Sequence, residues 1–310
     1  MKPIRIVSIS IAEHHNQPKF FLPSIREAEE LIREAGRSSP DIIALPELFA
    51  HLSYPLGAYT KHAEDLQGET ISRFGKLARE LGCMILCPIL EKVNGRVYNS
   101  AVFISSEGKP ISSYHKRIPA IPEMESGVSP GSHVVTVDTR FGQIGVLICF
   151  DLNFIEVFAE LRNARPKIIF FPSMFRGGLR LRYLALECAC YVVGTVATSN
   201  QLISPLGRLI NKAGMLQESF EKLPQYLEET INLNYGVYHL DENIKVLRKL
   251  RNTYPGKIHM EIAQAEALFL LQSLDPKLSI EQLEQEFKLE RSLDYFDRAR
   301  RQAEACRGRK

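Results

Sequence analysis

The sequence predicts an α/β sandwich, and three observations carry that prediction. Short apolar, β-branched runs alternate with amphipathic stretches. The amphipathic stretches show the three-to-four spacing of helices, and the apolar runs are too short to be helices of their own. One run, KIIFFPS, is apolar throughout, as in a strand covered on both faces.

The elements follow in order. IRIVSISIA alternates apolar and polar residues as a strand does, and SIREAEELIREAG repeats at helical spacing. DIIALPEL is a strand, ETISRFGKLARELG a helix, and CMILCPIL a strand. The middle of the chain is richer in strands: YNSAVFIS, PISSYH, VVTVDT and GQIGVLICF, with turn residues such as EGKP and VSPGSH between them. NFIEVFAELRNARPKIIFFPSMF then supplies a helix and the fully apolar strand, LRLRYLALECAC a helix, and YVVGTVATSN a strand. Two halves share this strand-helix logic, without a sequence repeat. From about Ser219 the segments become charged and amphipathic. Ser279 followed by Gln282 is a capping-box start, and an extension of two or three helices is expected there. The expected division is a main domain over residues 1–255 and a helical extension over 256–310, packed on that domain or on a partner subunit.

Composition limits the function classes. The chain has 310 residues, 45% hydrophobic and 24% charged, the balance of a globular protein with a full core. A net charge of +3 with scattered Lys and Arg gives no basic stripe for nucleic acid, and the cluster at Arg298, Arg300, Arg301, Arg307, Arg309 and Lys310 is a basic tail of low specificity. No apolar run approaches the roughly 18 residues that span a bilayer, and the N-terminus lacks a leader's apolar region and cleavage site. A cytoplasmic protein without membrane contact is expected. The six cysteines have no framework spacing, and Cys83, Cys87, Cys188 and Cys190 lie in apolar segments as buried thiols do. The eight histidines show no ligand spacing, and the adjacent His14 and His15 point to opposite sides of an extended chain, so no metal is expected.

Three segments place a reactive side chain at or just past a strand end: DIIALPELF with Glu47, SSYHKRIP with Lys116, and GVLICFDLNF with Cys149. Loops at the carboxyl ends of strands converge on the ligand crevice of an α/β sheet, so these residues can meet. Singly, each has a plain structural explanation: an exposed turn glutamate, a solvated lysine, a buried small thiol. Together they form a chemically complete set. A thiol attacks a carbonyl as thiolate, so Cys149 needs a base, for which Glu47 serves, and a positive neighbourhood, which Lys116 supplies. Lys116 and the backbone N–H of Phe150 can meet the oxyanion, and Glu47 can return its proton to the leaving amine. No cofactor enters this cycle.

Glu in LPELF, Lys in YHKRIP and Cys in ICFDLNF, in that order, resemble the Glu-Lys-Cys triad of the nitrilase-like carbon-nitrogen hydrolases, over roughly residues 1 to 255. YNSAVFIS, SPGS, FFPSMF and ALECACYVVGTVATSN support the resemblance. It implies a four-layer αββα sandwich, pairing into a homodimer or higher homo-oligomer, and a small linear amide or N-carbamoyl substrate cleaved through a thioester. It also implies a second glutamate near the lysine. In IPEMESGVSPG both Glu123 and Glu125 are available, and Glu125 matches the family spacing to Pro130-Gly131 better. Phe150-Asp151 after the cysteine, rather than Trp-Glu, disfavours nitriles. Asp151 and Glu187 read as structural braces. Substrate contacts are expected from the loops holding Tyr54, Glu123, Met174 and Arg176, the last able to anchor a carboxylate. A silent binding or scaffold protein and an acyl-transfer member of the fold are the alternatives; the intact triad opposes the first, and the lack of an ATP-using domain or membrane span opposes the second.

Overall fold

The computed structural model describes residues 3–11, 19, 21–213 and 225–308, so His14, His15, Ser219, Arg309 and Lys310 lie outside the described residues. The chain separates into two compact units, Ile4–Thr230 and Ile231–Lys310, the second including Pro3.

The first unit is built on two six-stranded sheets. One contains β1 (Ile4–Ile9), β2 (Ile42–Ala44), β3 (Met84–Val93), β4 (Arg96–Ile104) and β5 (Pro110–His115). The other contains β6 (Thr136–Thr139), β7 (Gly142–Val146), β8 (Ile168–Ser173), β9 (Tyr191–Val196), β10 (Asn200–Ile203) and β11 (Leu209–Ala213). β12 (Tyr226–Ile231) returns to the first sheet beside β1, giving the order β12-β1-β2-β3-β4-β5 against β11-β10-β9-β8-β7-β6. Each sheet has a parallel trio, β1-β2-β3 or β7-β8-β9, continued by antiparallel neighbours. The two-halves pattern of the sequence is thus present in the topology.

Helices cover the outer faces. α1 (Phe21–Gly36) and α2 (Glu69–Leu81) bury Ile25, Ile32, Phe74 and Leu77 against Val7, Ile43 and Ile85 of the first sheet. The short α3 (Ile121–Glu125) lies beyond β5. α4 (Ile155–Ala164) and α5 (Gly178–Cys188) bury Leu161 and Leu184 against Ile169 and Val192 of the second. The sheets face each other through a polar seam: Ser8 Oγ donates to Thr195 Oγ1 at 3.0 Å, and Asn200 Nδ2 donates to the Ser8 carbonyl at 2.8 Å. This is a four-layer αββα sandwich. Cys83, Cys87, Cys188 and Cys190 are buried in it.

The second unit contains helices, as expected, but also a sheet. β13 (Tyr235–His239) pairs antiparallel with β15 (Leu268–Ser273), which also pairs with β14 (Ile258–Ala263). The boundary expected at residue 255 therefore falls inside this unit, because the register Tyr235↔Gln272 ties residues before 255 to residues after it. α6 (Leu240–Asn243), α7 (Leu247–Thr253), α8 (Ile280–Phe287) and α9 (Ser292–Arg307) complete it. α8 starts on the capping box, with Gln282 N donating to Ser279 Oγ and Ser279 N to Gln282 Oε1, and buries Leu283 and Phe287 against Phe269 and Leu271.

Candidate active site

Glu47 follows β2, Lys116 follows β5, Cys149 follows β7 and Met174 follows β8, so four strand ends in two sheets deliver side chains to one place. All four line a cavity of about 290 Å³. The local backbone is bent to do this. Cys149 has φ 48° and Leu48, next to Glu47, has φ 47°, a left-handed conformation costing a side-chain-bearing residue on the order of 1 kcal/mol. The turn at Cys149 is held by Asp151, which accepts hydrogen bonds from Ile148 N at 3.0 Å, Ile118 N at 2.8 Å and Tyr114 Oη at 2.7 Å. Asp151 is fully buried, and burial pushes its carboxyl up to about 6 although those bonds oppose the shift. The brace expected of Asp151 therefore joins the Cys149 turn to both flanks of Lys116.

Lys116 is buried, and its ammonium donates to Glu47 Oε1 at 2.8 Å and Glu123 Oε2 at 2.7 Å. Asn99 Nδ2 donates to the same two carboxylates, at 2.8 Å each. Met174 N donates to Glu47 Oε2 at 3.1 Å. Burial alone would lower the lysine's pKa, but the charges of Glu47, Cys149 and Glu123 outweigh it and hold the ammonium above its ordinary range. The main chain of Lys116 is fixed as firmly: its N–H donates to the Asn99 carbonyl and its carbonyl accepts from Gly131, each at 2.8 Å. Gly131 lies so close that a Cβ there would meet the His115 carbonyl at 2.2 Å.

Glu123, not Glu125, reaches the lysine. Glu123 stands at the third position of α3, and its carboxylate accepts from the Ala120 N–H at 2.7 Å, the back-reaching bond of a helix start. Glu125 lies two residues on, about 200° round the helix axis, and is exposed. Distance along the chain to Pro130-Gly131 favours Glu125; helix phase decides for Glu123. The field at Cys149 also differs from expectation. The single Lys116 ammonium is held by two carboxylates, Glu47 and Glu123, rather than standing free beside the thiol. Burial, then the Glu47 charge, push the Cys149 thiol up to about 12, with Lys116 and the Met174 N–H only partly opposing them.

Of the residues expected to touch substrate, Met174, Glu123 and Phe150 line the cavity; Tyr54 and Arg176 do not. Tyr54 stacks on His62 with ring centroids 3.5 Å apart, and Arg176 is exposed. Tyr59 lines the cavity instead, its hydroxyl pushed up to about 12 by burial and the two carboxylates. Tyr59 ends the same pocket loop, 51–59, from which Tyr54 was expected to contact substrate, whereas Asn99 was not singled out by the sequence. The signal for Asn99 was present: a buried amide inside the strand VYNSAVFI, where Asn is disfavoured, needs partners. Among the described residues no three His, Cys, Asp or Glu side chains are grouped to hold a metal ion.

The carbon-nitrogen hydrolase family profile matches residues 17–229. The chain is 26% identical to the omega-amidase NIT2-B of Xenopus laevis, over 74% of this chain and 90% of that protein. It is 30% identical to the deaminated glutathione amidase of Mus musculus, over 55% of this chain and 59% of that protein, and so spans less than two thirds of that relative. A Nesterenkonia sp. AN1 amidase, solved as a variant in complex with acrylamide, superposes with a TM-score of 0.63 at 16% identity, covering 80% of this chain and 97% of that one.

Proposed function

Because the chain belongs to the carbon-nitrogen hydrolase family, we propose that it hydrolyses the carbon-nitrogen bond of a small amide or N-carbamoyl compound, with Cys149 as nucleophile. The observation that carries this reading is the buried cluster of Glu47, Lys116 and Glu123 beside the Cys149 thiol in one open-mouthed cavity. Glu47 takes the thiol proton as sulfur attacks the carbonyl carbon. Lys116 and the Phe150 N–H stabilise the oxyanion. The carbon-nitrogen bond breaks, and the amine leaves with the proton from Glu47. Water, deprotonated by Glu47, then attacks the thioester; the carbon-sulfur bond breaks, the acid departs and the thiol is restored. Glu123 and Asn99 hold Lys116 and Glu47 in place.

A cytoplasmic setting belongs to the same reading, since a cavity-wall thiol stays usable where reductants keep it uncapped. No helix among the described residues is long and apolar enough to cross a membrane. The homo-oligomer is also part of the proposal. Ile155 on α4 and Leu179 and Tyr183 on α5 are exposed together around a shallow hollow, an apolar patch suited to a second copy. The test is ammonia release from simple primary amides by purified protein. Wild type should release ammonia and Cys149→Ala should release none above background while keeping its melting temperature; equal rates would remove Cys149 from the reaction.

A further inference from the structure

Tyr59 lines the cavity together with Cys149, yet no step of the proposed cycle uses it. Its ring is held firmly. It is 4% exposed and packs with Leu48 of the Glu47 turn, Leu90 of β3, Val97 of β4 and Val128 after α3. The neighbouring Thr60 presses on that last segment, its methyl 3.1 Å from where a Gly127 side chain would begin. A ring packed on these sides presents its hydroxyl in one place. That hydroxyl lies within electrostatic reach of Glu47, Glu123 and Lys116; burial and the two carboxylates push it up to about 12, so at neutral pH it keeps its proton. It makes no hydrogen bond to any described residue. A phenol with a buried body and an unengaged O–H at a cavity wall takes its partner from whatever fills the cavity. During attack by sulfur on an amide, the carbonyl oxygen is the atom there that gains negative charge. Lys116 has three N–H donors, and two are taken by Glu47 and Glu123, which leaves one to join the Phe150 N–H. A tetrahedral oxyanion still has a lone pair for a further donor.

We propose that Tyr59 is a catalytic residue whose hydroxyl donates a hydrogen bond to the substrate carbonyl oxygen, a bond that strengthens as that oxygen becomes the oxyanion and transfers no proton. This rests on the amide-hydrolase reading above and deepens it by one donor at the same site. Tyr59→Phe keeps the packed ring and removes only the oxygen. In ammonia release from simple primary amides by the full-length protein, it should lower kcat by on the order of a hundredfold and leave KM within about threefold. Labelling of Cys149 by iodoacetamide should stay within about twofold of wild type, because displacement of iodide at a saturated carbon forms no oxyanion. Propionaldehyde adds to a thiol as a hemithioacetal whose oxygen takes the oxyanion's place, so its inhibition constant should rise at least about tenfold in the variant. An unchanged kcat overturns the inference and leaves the ring as packing. So does a raised KM with kcat intact, since the hydroxyl then acts on the ground state alone. A fall in kcat matched by an equal fall in labelling, or without a rise in the inhibition constant, overturns it as well, because the damage then lies at the thiol or in the packing. Absence of ammonia release by wild type defeats the amidase reading, and the inference with it.

Discussion

Cys149 is kept as a thiol rather than a thiolate, and this sets how it should titrate. Its pKa lies above the ordinary value, so the thiolate fraction grows about tenfold per pH unit through neutrality and levels off only near pH 12. Labelling of Cys149 by iodoacetamide should climb over pH 7 to 10 without a plateau; a plateau below pH 8 would mean a resting ion pair and contradict the field described here. Glu47 is the largest charge raising that pKa. Glu47→Gln should therefore speed labelling at pH 9 while lowering turnover by on the order of a hundredfold or more, because the base is gone. Slower labelling in that variant would show the carboxylate assisting attack on the reagent itself. The meeting of Glu47, Lys116 and Cys149 was legible in the sequence because each lies at or just past a strand end. That the Lys116 ammonium is shared with a second carboxylate was not, because Glu123 meets it from a separate segment and the meeting is a matter of tertiary approach.

The short helix α3 decides between two glutamates that sequence spacing cannot separate. Helix phase puts Glu123 on the lysine and Glu125 in solvent, so Glu123→Gln should cost at least about tenfold in kcat and Glu125→Gln less than about twofold, measured as initial rates at saturating amide. The reverse order would restore the assignment by chain spacing. The cue was readable: Pro122 followed by Glu123 is an early-helix pattern, with the glutamate three places past the cap. Elsewhere, long periodic elements such as α1 and α2 were plain in the sequence. The hairpin β14-β15 was not, since its charged first strand and the AQAEA turn share composition with a surface helix, and only pairing with β13 distinguishes them.

At the scale of the molecule, the apolar patch on α4 and α5 bears on assembly. Leu179 is 79% exposed and Ile155 61%, so replacing either by Glu removes little from the core. Ile155→Glu with Leu179→Glu should halve the apparent mass in light scattering with a melting temperature lowered by no more than a few degrees; an unchanged mass would place the self-association surface elsewhere. The alternation of strands and helices made the sandwich foreseeable, whereas the boundary at Thr230 was hidden because strand pairing over a long chain separation leaves no local mark. The brace at Asp151 has a consequence in time. Its partner Tyr114 lies in β5 of one sheet and Ile148 just past β7 of the other, so the reaction centre cannot exist in either sheet alone. During refolding the strands can register early by circular dichroism, but catalysis must wait until the two layers dock. The recovery of activity is then a clock for the latest long-range step of folding.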